Sequence, residues 1–275
     1  MAVLLALVSA LAYGISDFLG GVLSARSTAW LTATVGQASA TLSALVLVPF
    51  LSGTPSAGDL GWAVVAGLGS GLGAAFLYRG LSTASMSVVA PISAVGSALI
   101  PVAVGLLLGE RPGTRALIGI VLAFPAIALI AWVRDPDPAH HGGVLDGLLA
   151  GTGFGILFVA LGQIRDDAGG WPVVVMYLAS TLAVIAVAAA SGQRWRPRGR
   201  ADLGAVVLGP IGLLAVVAFY LATAHGLLSV VSVIAALYPA STVLLAAVVL
   251  HERVTRSQAA GLALAVAAVS LVASG

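Results

Sequence analysis

The stretch Ser87-Val88-Val89, Ile92, Ala94, Leu108, Glu110-Arg111 and Gly119 recurs, without a gap, as Ser229-Val230-Val231, Ile234, Ala236, Leu250, Glu252-Arg253 and Gly261, at an offset of 142 residues. Tyr78 falls on Tyr220 at the same offset, and an offset of 141 lays Tyr13-Gly14-Ile15 on Phe154-Gly155-Ile156. Apolar matches are cheap in a chain that is 60% hydrophobic, but the charged Glu-Arg pair and the aromatic and glycine matches are not. The chain is a unit followed by a diverged copy of itself.

Each unit carries five apolar stretches. A membrane helix needs about 20 apolar residues to cross roughly 30 Å of hydrocarbon. Stretches near residues 2–24, 29–51, 60–80, 86–108 and 114–133 meet that length or nearly so, as do 144–164, 171–191, 203–224, 229–250 and 256–273. The expected fold is therefore an all-α integral membrane protein of ten transmembrane helices, organised as repeats 1–137 and 138–275. Five spans is an odd number, so the second unit enters the membrane with the opposite orientation. Inverted repeats of this kind are typical of secondary transporters, whose substrate sites lie near the midplane between the repeats.

Composition agrees. Only 8% of the 275 residues are charged, against about 25% in soluble domains. The chain has no cysteine, which excludes disulfides and thiolate chemistry. It also has no lysine; the basic residues are all arginine, and with abundant Ala, Gly and Val this points to a GC-rich bacterial genome. The net charge of +2 is too small, and the arginines too scattered, for nucleic-acid binding. The N-terminus lacks a basic region, so its apolar stretch reads as a span rather than a cleaved signal.

Local chemistry supports the span ends. Ser52-Gly53-Thr54-Pro55-Ser56 is a turn run, and Thr255 with Gln258 reads as a capping box. Trp30, Trp62, Trp132, Trp171 and Trp195 fall at predicted span ends, as an interfacial belt would. Gly67, Gly69, Gly71 and Gly73 crowd the third span and Gly151-x-x-x-Gly155 the sixth, spacings that allow close helix approach.

The chain resembles the EamA family of the drug/metabolite transporter superfamily. Tyr13-Gly14 and Phe154-Gly155 in the first span of each unit carry the resemblance. So do Gly109-Glu110-Arg111 with Gly119, and His251-Glu252-Arg253 with Gly261. Tyr13 stands where Trp is common, and Pro239 of the ninth span has Ser97 at its repeat position, with Pro91 and Pro101 nearby. The resemblance implies a central cavity surrounded by the third, fourth, eighth and ninth spans, with contributions from the first and sixth. It also implies cytoplasmic termini, in a bacterial inner (plasma) membrane. The arginines argue the other way: nine of twelve lie opposite the termini, and the positive-inside rule would place that end in the cytoplasm.

Asp17 is the one carboxylate well inside a predicted span. Such a group costs about 2.5–3.5 kcal/mol on insertion scales and is expected to face a cavity or a partner. Desolvation disfavours its charged form and a nearby cation restores it, and Arg79 is the candidate cation. Two readings stand: a static Asp17–Arg79 pair, or proton coupling and recognition of a substrate ammonium. Tyr13, Tyr78, Tyr220, Tyr238, Ser93, Ser97 and Gln37 are further candidates for contact with substrate or coupling ion. Interfacial anchoring is the alternative for Tyr78 and Tyr220, and an interhelical hydrogen bond for Gln37 and Gln163. Pro91, Pro101 and Pro239 are candidate helix breaks, as gates or as plain kinks. Glu110 and Glu252 are expected to pair with nearby arginines or to face the amino end of the next helix. His140-His141 has no further ligands beside it, so no metal site and no cofactor is expected. No Walker A, HExxH, GxSxG or dinucleotide fingerprint is present.

These features predict alternating access by two five-helix units rocking about a midplane site, in a monomer or homodimer. The expected cargo is a small metabolite such as an amino acid, a sugar or an organic cation, with proton coupling through Asp17 as a hypothesis. The alternatives are an uncoupled facilitator or channel, or a non-transporting scaffold. An intramembrane enzyme would need clustered acids, histidines or an activated nucleophile, and the sequence offers one lone acid.

Overall fold

The structure, a computed structural model, describes residues 1–83, 86–131, 143–251 and 253–274. Glu252, Trp132, Arg134 and the His140-His141 pair lie outside the described residues. The helices are α1 (Ala2–Arg26), α2 (Ala29–Leu47), α3 (Ala57–Thr83), α4 (Met86–Leu107), α5 (Thr114–Ala131), α6 (Val144–Leu161), α7 (Trp171–Ala190), α8 (Leu208–Thr223), α9 (Leu228–Ala235), α10 (Tyr238–Val249) and α11 (Arg256–Ala273). Among the described residues, nine helical stretches are long and apolar enough to cross a membrane, and Ile92–Leu107 of α4 is a shorter apolar one. The helices α9 and α10 together make one span. The fold is thus ten transmembrane helices in two inverted five-helix repeats.

The packing obeys an exchange of the two repeats. Substituting α1 for α6, α2 for α7, α3 for α8, α4 for the α9–α10 pair and α5 for α11 maps one set of contacts onto the other. The α3–α6 contact becomes α8–α1, α4–α6 becomes the contact of α10 and α9 with α1, and α3–α7 becomes α8–α2. Three contacts map onto themselves, α2–α7, α5–α11 and that of α4 with the α9–α10 pair, and so lie about the pseudo-two-fold axis. The hydroxyls of Thr41 and Thr181 meet across the first of these at 3.2 Å.

Small residues make these interfaces. Lipid is as apolar as Leu, so close backbone packing drives association in a membrane. Ala, Gly and Ser fill the interior, while Leu4, Leu42, Val248 and Val266 are among the large side chains turned outward. A Cβ on Gly119 of α5 would sit 2.7 Å from the Ala268 carbonyl of α11, and one on its repeat mate Gly261 would sit 2.7 Å from the Ile130 nitrogen of α5. Gly69 and Gly73 of α3 meet Gly153 of α6 backbone to backbone. The aromatic-glycine motif gains a role in the same way. Gly14 lets α1 close on Tyr238 and Ser241 of α10, and Gly155 lets α6 close on Ile100 of α4.

The densest helix contacts join helices of different repeats. One tight set is α3, α4, α6 and α7; the other is α1, α2, α8, α9 and α10. Each draws helices from both repeats.

Element ends mostly follow their local chemistry. Thr28 caps α2 through the Leu31 N–H at 3.2 Å, and the Thr255–Gln258 capping box opens α11. Pro239 stands in the first turn of α10, where its missing N–H costs least, and the ninth span is interrupted before it. Pro91 and Pro101, candidate breaks or plain kinks, lie within a continuous α4. A membrane helix tolerates proline when neighbouring turns and helices satisfy the freed carbonyl. Trp30 is no interfacial anchor: it is 4% exposed and packs edge-on against Phe76. Glu110 reaches neither an arginine nor α5. Its carboxylate accepts the N–H groups of Leu228 at 2.6 Å and Ser229 at 2.9 Å, capping α9 from the other repeat.

Candidate functional site

The site begins with a stripe on α1. Tyr13, Ser16, Asp17 and Gly20 follow the i, i+3, i+4, i+7 spacing of one helix face. The first three line a central cavity of ≈ 70 Å³. Gly20 admits the Tyr78 hydroxyl, which lies 2.5 Å from where a glycine Cβ would be built. A second stripe, Ser70, Ala74 and Tyr78, faces the cavity from α3. Thr32 and Gln37 come from α2, Phe154 and Phe158 from α6, Tyr177 from α7, Val216 from α8 and Tyr238 from α10. The contributions of α2 and α7 exceed what the family resemblance implied.

The lining on α1, α2, α3 and α8 belongs to the halves of those helices that lead to one end of the bundle. That end carries Arg26, Arg79, Arg194 and Arg253. At the cavity floor the Tyr13 ring meets Phe158 at 5.9 Å and Tyr238 at 6.5 Å, and Phe158 stacks on Phe219 at 4.4 Å. Beyond the floor, toward the termini, a continuous apolar core fills the bundle. That end is tied by Arg165, whose Nε donates to Asp59 at 3.1 Å and whose guanidinium also reaches the Thr54 carbonyl at 3.1 Å. Phe158 stands at the repeat position of Asp17, so the acid wall and the aromatic floor are repeat mates with different chemistry.

Among the described lining residues Asp17 is the only charged one. It is half-buried and lies near the phenols of Tyr13, Tyr78 and Tyr238. The hydroxyls of Tyr13, Ser93 and Tyr238 are buried without a hydrogen-bond partner, as is Gln37 Oε1. The Tyr238 hydroxyl lies beside Ser93 and Ser97 of α4, without a closed hydrogen bond to either in this conformation. Buried polar groups are normally satisfied. This set of open donors and acceptors around one carboxylate has the character of a binding site.

The structure separates other candidates from this set. Arg79 pairs with Asp146 of α6, its Nε donating at 2.9 Å, so the expected Asp17–Arg79 pair gives way to an α3–α6 clamp. The close α3–α6 packing through glycines brings these two side chains together. The Tyr220 hydroxyl donates to the Arg165 carbonyl at 2.7 Å, near the tied end and away from the cavity. Gln37 makes the interhelical hydrogen bond expected of it, to Ser70 at 3.5 Å, and lines the cavity as well. Ser16, Ser70, Phe158 and Tyr177 were not picked out from sequence. The helical stripes on α1 and α3 held the signal for the first two.

The architecture is thus that of an inverted-repeat membrane protein with a central cavity, largely apolar in its walls, that holds one carboxylate and a few hydroxyls. The chain belongs to the EamA family of the drug/metabolite transporter superfamily: the profile of the EamA-like transporter family matches residues 1–132 and 141–274. Members of that family are transporters, and this chain is a multi-pass membrane transporter of small solutes. A solved crystal structure matches 98% of this chain and 95% of its own, with a TM-score of 0.68 and 18% sequence identity, a likeness of fold. No curated protein matches significantly.

Proposed function

We propose that this chain is a secondary active transporter that moves a small metabolite across a bacterial inner membrane by alternating access. The observation that carries the reading is the central cavity. It lies between an aromatic floor and one end of the bundle, while apolar packing and the Arg165–Asp59 pair lie toward the other. A central cavity backed by apolar packing fits alternating access, whereas a channel needs a continuous path. A cavity holding a carboxylate and unsatisfied hydroxyls also weighs against a passive scaffold. No nucleotide-binding motif is present, so the driving force is a gradient.

In this reading the two intertwined helix sets rock against each other about the α2–α7 contact, and repeats 1–137 and 138–275 supply equivalent halves of the path. Asp17 is the coupling group. As a carboxylate among phenols in a site shielded from bulk water, it holds either a proton or a cationic group of the cargo. Ser93 and Ser97 hydrogen-bond the Tyr238 hydroxyl as the site reorganises around solute.

The test is solute-driven proton movement in liposomes carrying a trapped pH dye, with pools of amino acids, sugars and amines. A pool that moves protons in the wild type but not in Asp17→Asn supports the coupling role. Unchanged gradient-driven transport in Asp17→Asn removes it.

A further inference from the structure

Helix α9 has no cap of its own. The residue before it is Leu227, whose side chain accepts nothing. The N–H groups of Leu228 and Ser229 go to Glu110 instead. These two residues are 6% and 0% exposed, so little water reaches them. A buried N–H left without a partner is costly.

The end of α4 aims the acid. The Glu110 N–H donates to the Gly105 carbonyl at 3.0 Å and the Gly109 N–H to the Leu106 carbonyl at 3.1 Å, the paired bonds of a Schellman turn. Gly109 supplies its left-handed residue, with φ +92°. The turn folds the Glu110 side chain back over Gly105, where a Cβ would collide with the carboxylate. Gly105 thus makes room for the acid and Gly109 directs it. His251, at the repeat position of Gly109, also has a positive φ, +57°, so both repeats end their fourth span with such a turn.

The cap crosses between the two helix sets, since α4 belongs to one and α9 to the other. The Arg79–Asp146 and Arg165–Asp59 pairs each stay within the α3–α4–α6–α7 set. Neighbouring contacts across the sets are uncharged: Phe158 stacks on Phe219, Leu228 packs on Gly162, and the Tyr220 hydroxyl donates to the Arg165 carbonyl. Among the described residues α4 packs against α9 far more than against α10, so the ninth span meets it toward the end of the bundle that carries the termini. A cap supplied across such an interface has two satisfied states. With the sets together, the carboxylate and both N–H groups are paired away from water. With the sets apart, water must enter to satisfy them, and the dry, parted state between is the costly one.

We propose that Glu110 is a positioning residue of the transport cycle: its cap on α9 latches the two helix sets together at the end that carries the termini, and that end opens only when the cap breaks. This rests on the transporter reading, with the two helix sets as its moving bodies.

The test is a distance across that end. The chain has no cysteine, so Gly61→Cys on α3 and Leu221→Cys on α8 can each carry a nitroxide spin label. Both positions are exposed, one on each set, and both lie within helices, so they report motion of the sets rather than fraying of α9. Double electron–electron resonance on the full chain in lipid nanodiscs reads their separation. The wild type is expected mainly at a shorter separation. Glu110→Ala raises the ratio of a longer separation to the shorter about 2- to 30-fold, the range that a lost helix cap commands. Glu110→Gln, which keeps one acceptor, raises it less. Arg165→Gln lowers the melting temperature and leaves the distances alone, because its pair with Asp59 lies within one set. Distances unmoved by Glu110→Ala, whatever happens to its melting temperature, overturn the proposal, and so does an equal shift from Arg165→Gln. Solute flux in liposomes with those distances unmoved overturns the latch and leaves the transporter reading standing. The expected shift without flux of any solute supports the latch and removes transport.

Discussion

A methyl group added at Gly153 would meet the Gly69 carbonyl oxygen at 2.7 Å and the Gly73 Cα and nitrogen at 2.8 Å, all of them backbone atoms. Nothing flexible is there to give way, so Gly153→Ala forces α6 off α3. The expected loss is about 1–3 kcal/mol, the usual range for overpacking, read as a lower melting temperature in detergent. Gly61→Ala is the control. A Cβ there meets nothing within 4 Å, and the helix gains up to about 1 kcal/mol from the better helix former. The crowding of glycines on α3 and α6 was plain in the sequence; which glycine faced which was not, because a one-dimensional spacing carries no partner. Asp17 was legible for a related reason, as a lone acid at a depth where acids are costly. Its neighbours were not, and Arg79 was drawn to Asp146 by a helix contact that no spacing revealed.

Glu110 belongs to the scale of elements. It sits at the end of α4, yet it satisfies two N–H groups at the start of α9. Glu110→Ala leaves both unpaired, and the expected cost is about 0.5–2 kcal/mol, as for a lost helix cap. Glu110→Gln keeps one acceptor and recovers part of it; thermal unfolding of the two variants side by side checks the order. The sequence marked this residue through its repeat with Glu252, but the expectation placed it at the amino end of the next helix, α5, or beside an arginine. The helix it caps was not legible, since the partner lies in the other repeat. The breaks within spans were half legible. Proline reliably marks a missing donor, but whether a helix stops there depends on whether its surroundings satisfy the freed carbonyl. Thus α4 runs on past Pro91 and Pro101 while the ninth span is interrupted before Pro239.

At the scale of the whole molecule the inverted architecture was readable from a few non-apolar matches at one offset, because an odd number of spans leaves no other arrangement. The division into two intertwined helix sets was not, because it depends on which faces close and not on chain order. If those sets rock, the α2–α7 contact must change in every cycle. The chain has no cysteine, so a Thr41→Cys, Thr181→Cys pair, at positions whose hydroxyls lie 3.2 Å apart, can be oxidised without background. The expected outcome is transport lost on oxidation and restored by reductant. Undiminished transport by the cross-linked protein contradicts this choice of moving bodies. The same background serves for orientation. With the termini in the cytoplasm, as the family resemblance implies, Ser274→Cys in intact cells is protected from a membrane-impermeant maleimide and labelled after permeabilisation. Labelling in intact cells would favour the orientation that the arginine count implies.

The most direct measurement of the central claim is solute-dependent proton flux into liposomes containing the purified chain, wild type beside Asp17→Asn. A coupled transporter built around Asp17 gives flux with at least one solute pool in the wild type and none in the variant, while both proteins melt alike. Equal flux in both, or flux in neither while labelled solutes also fail to cross, would contradict it.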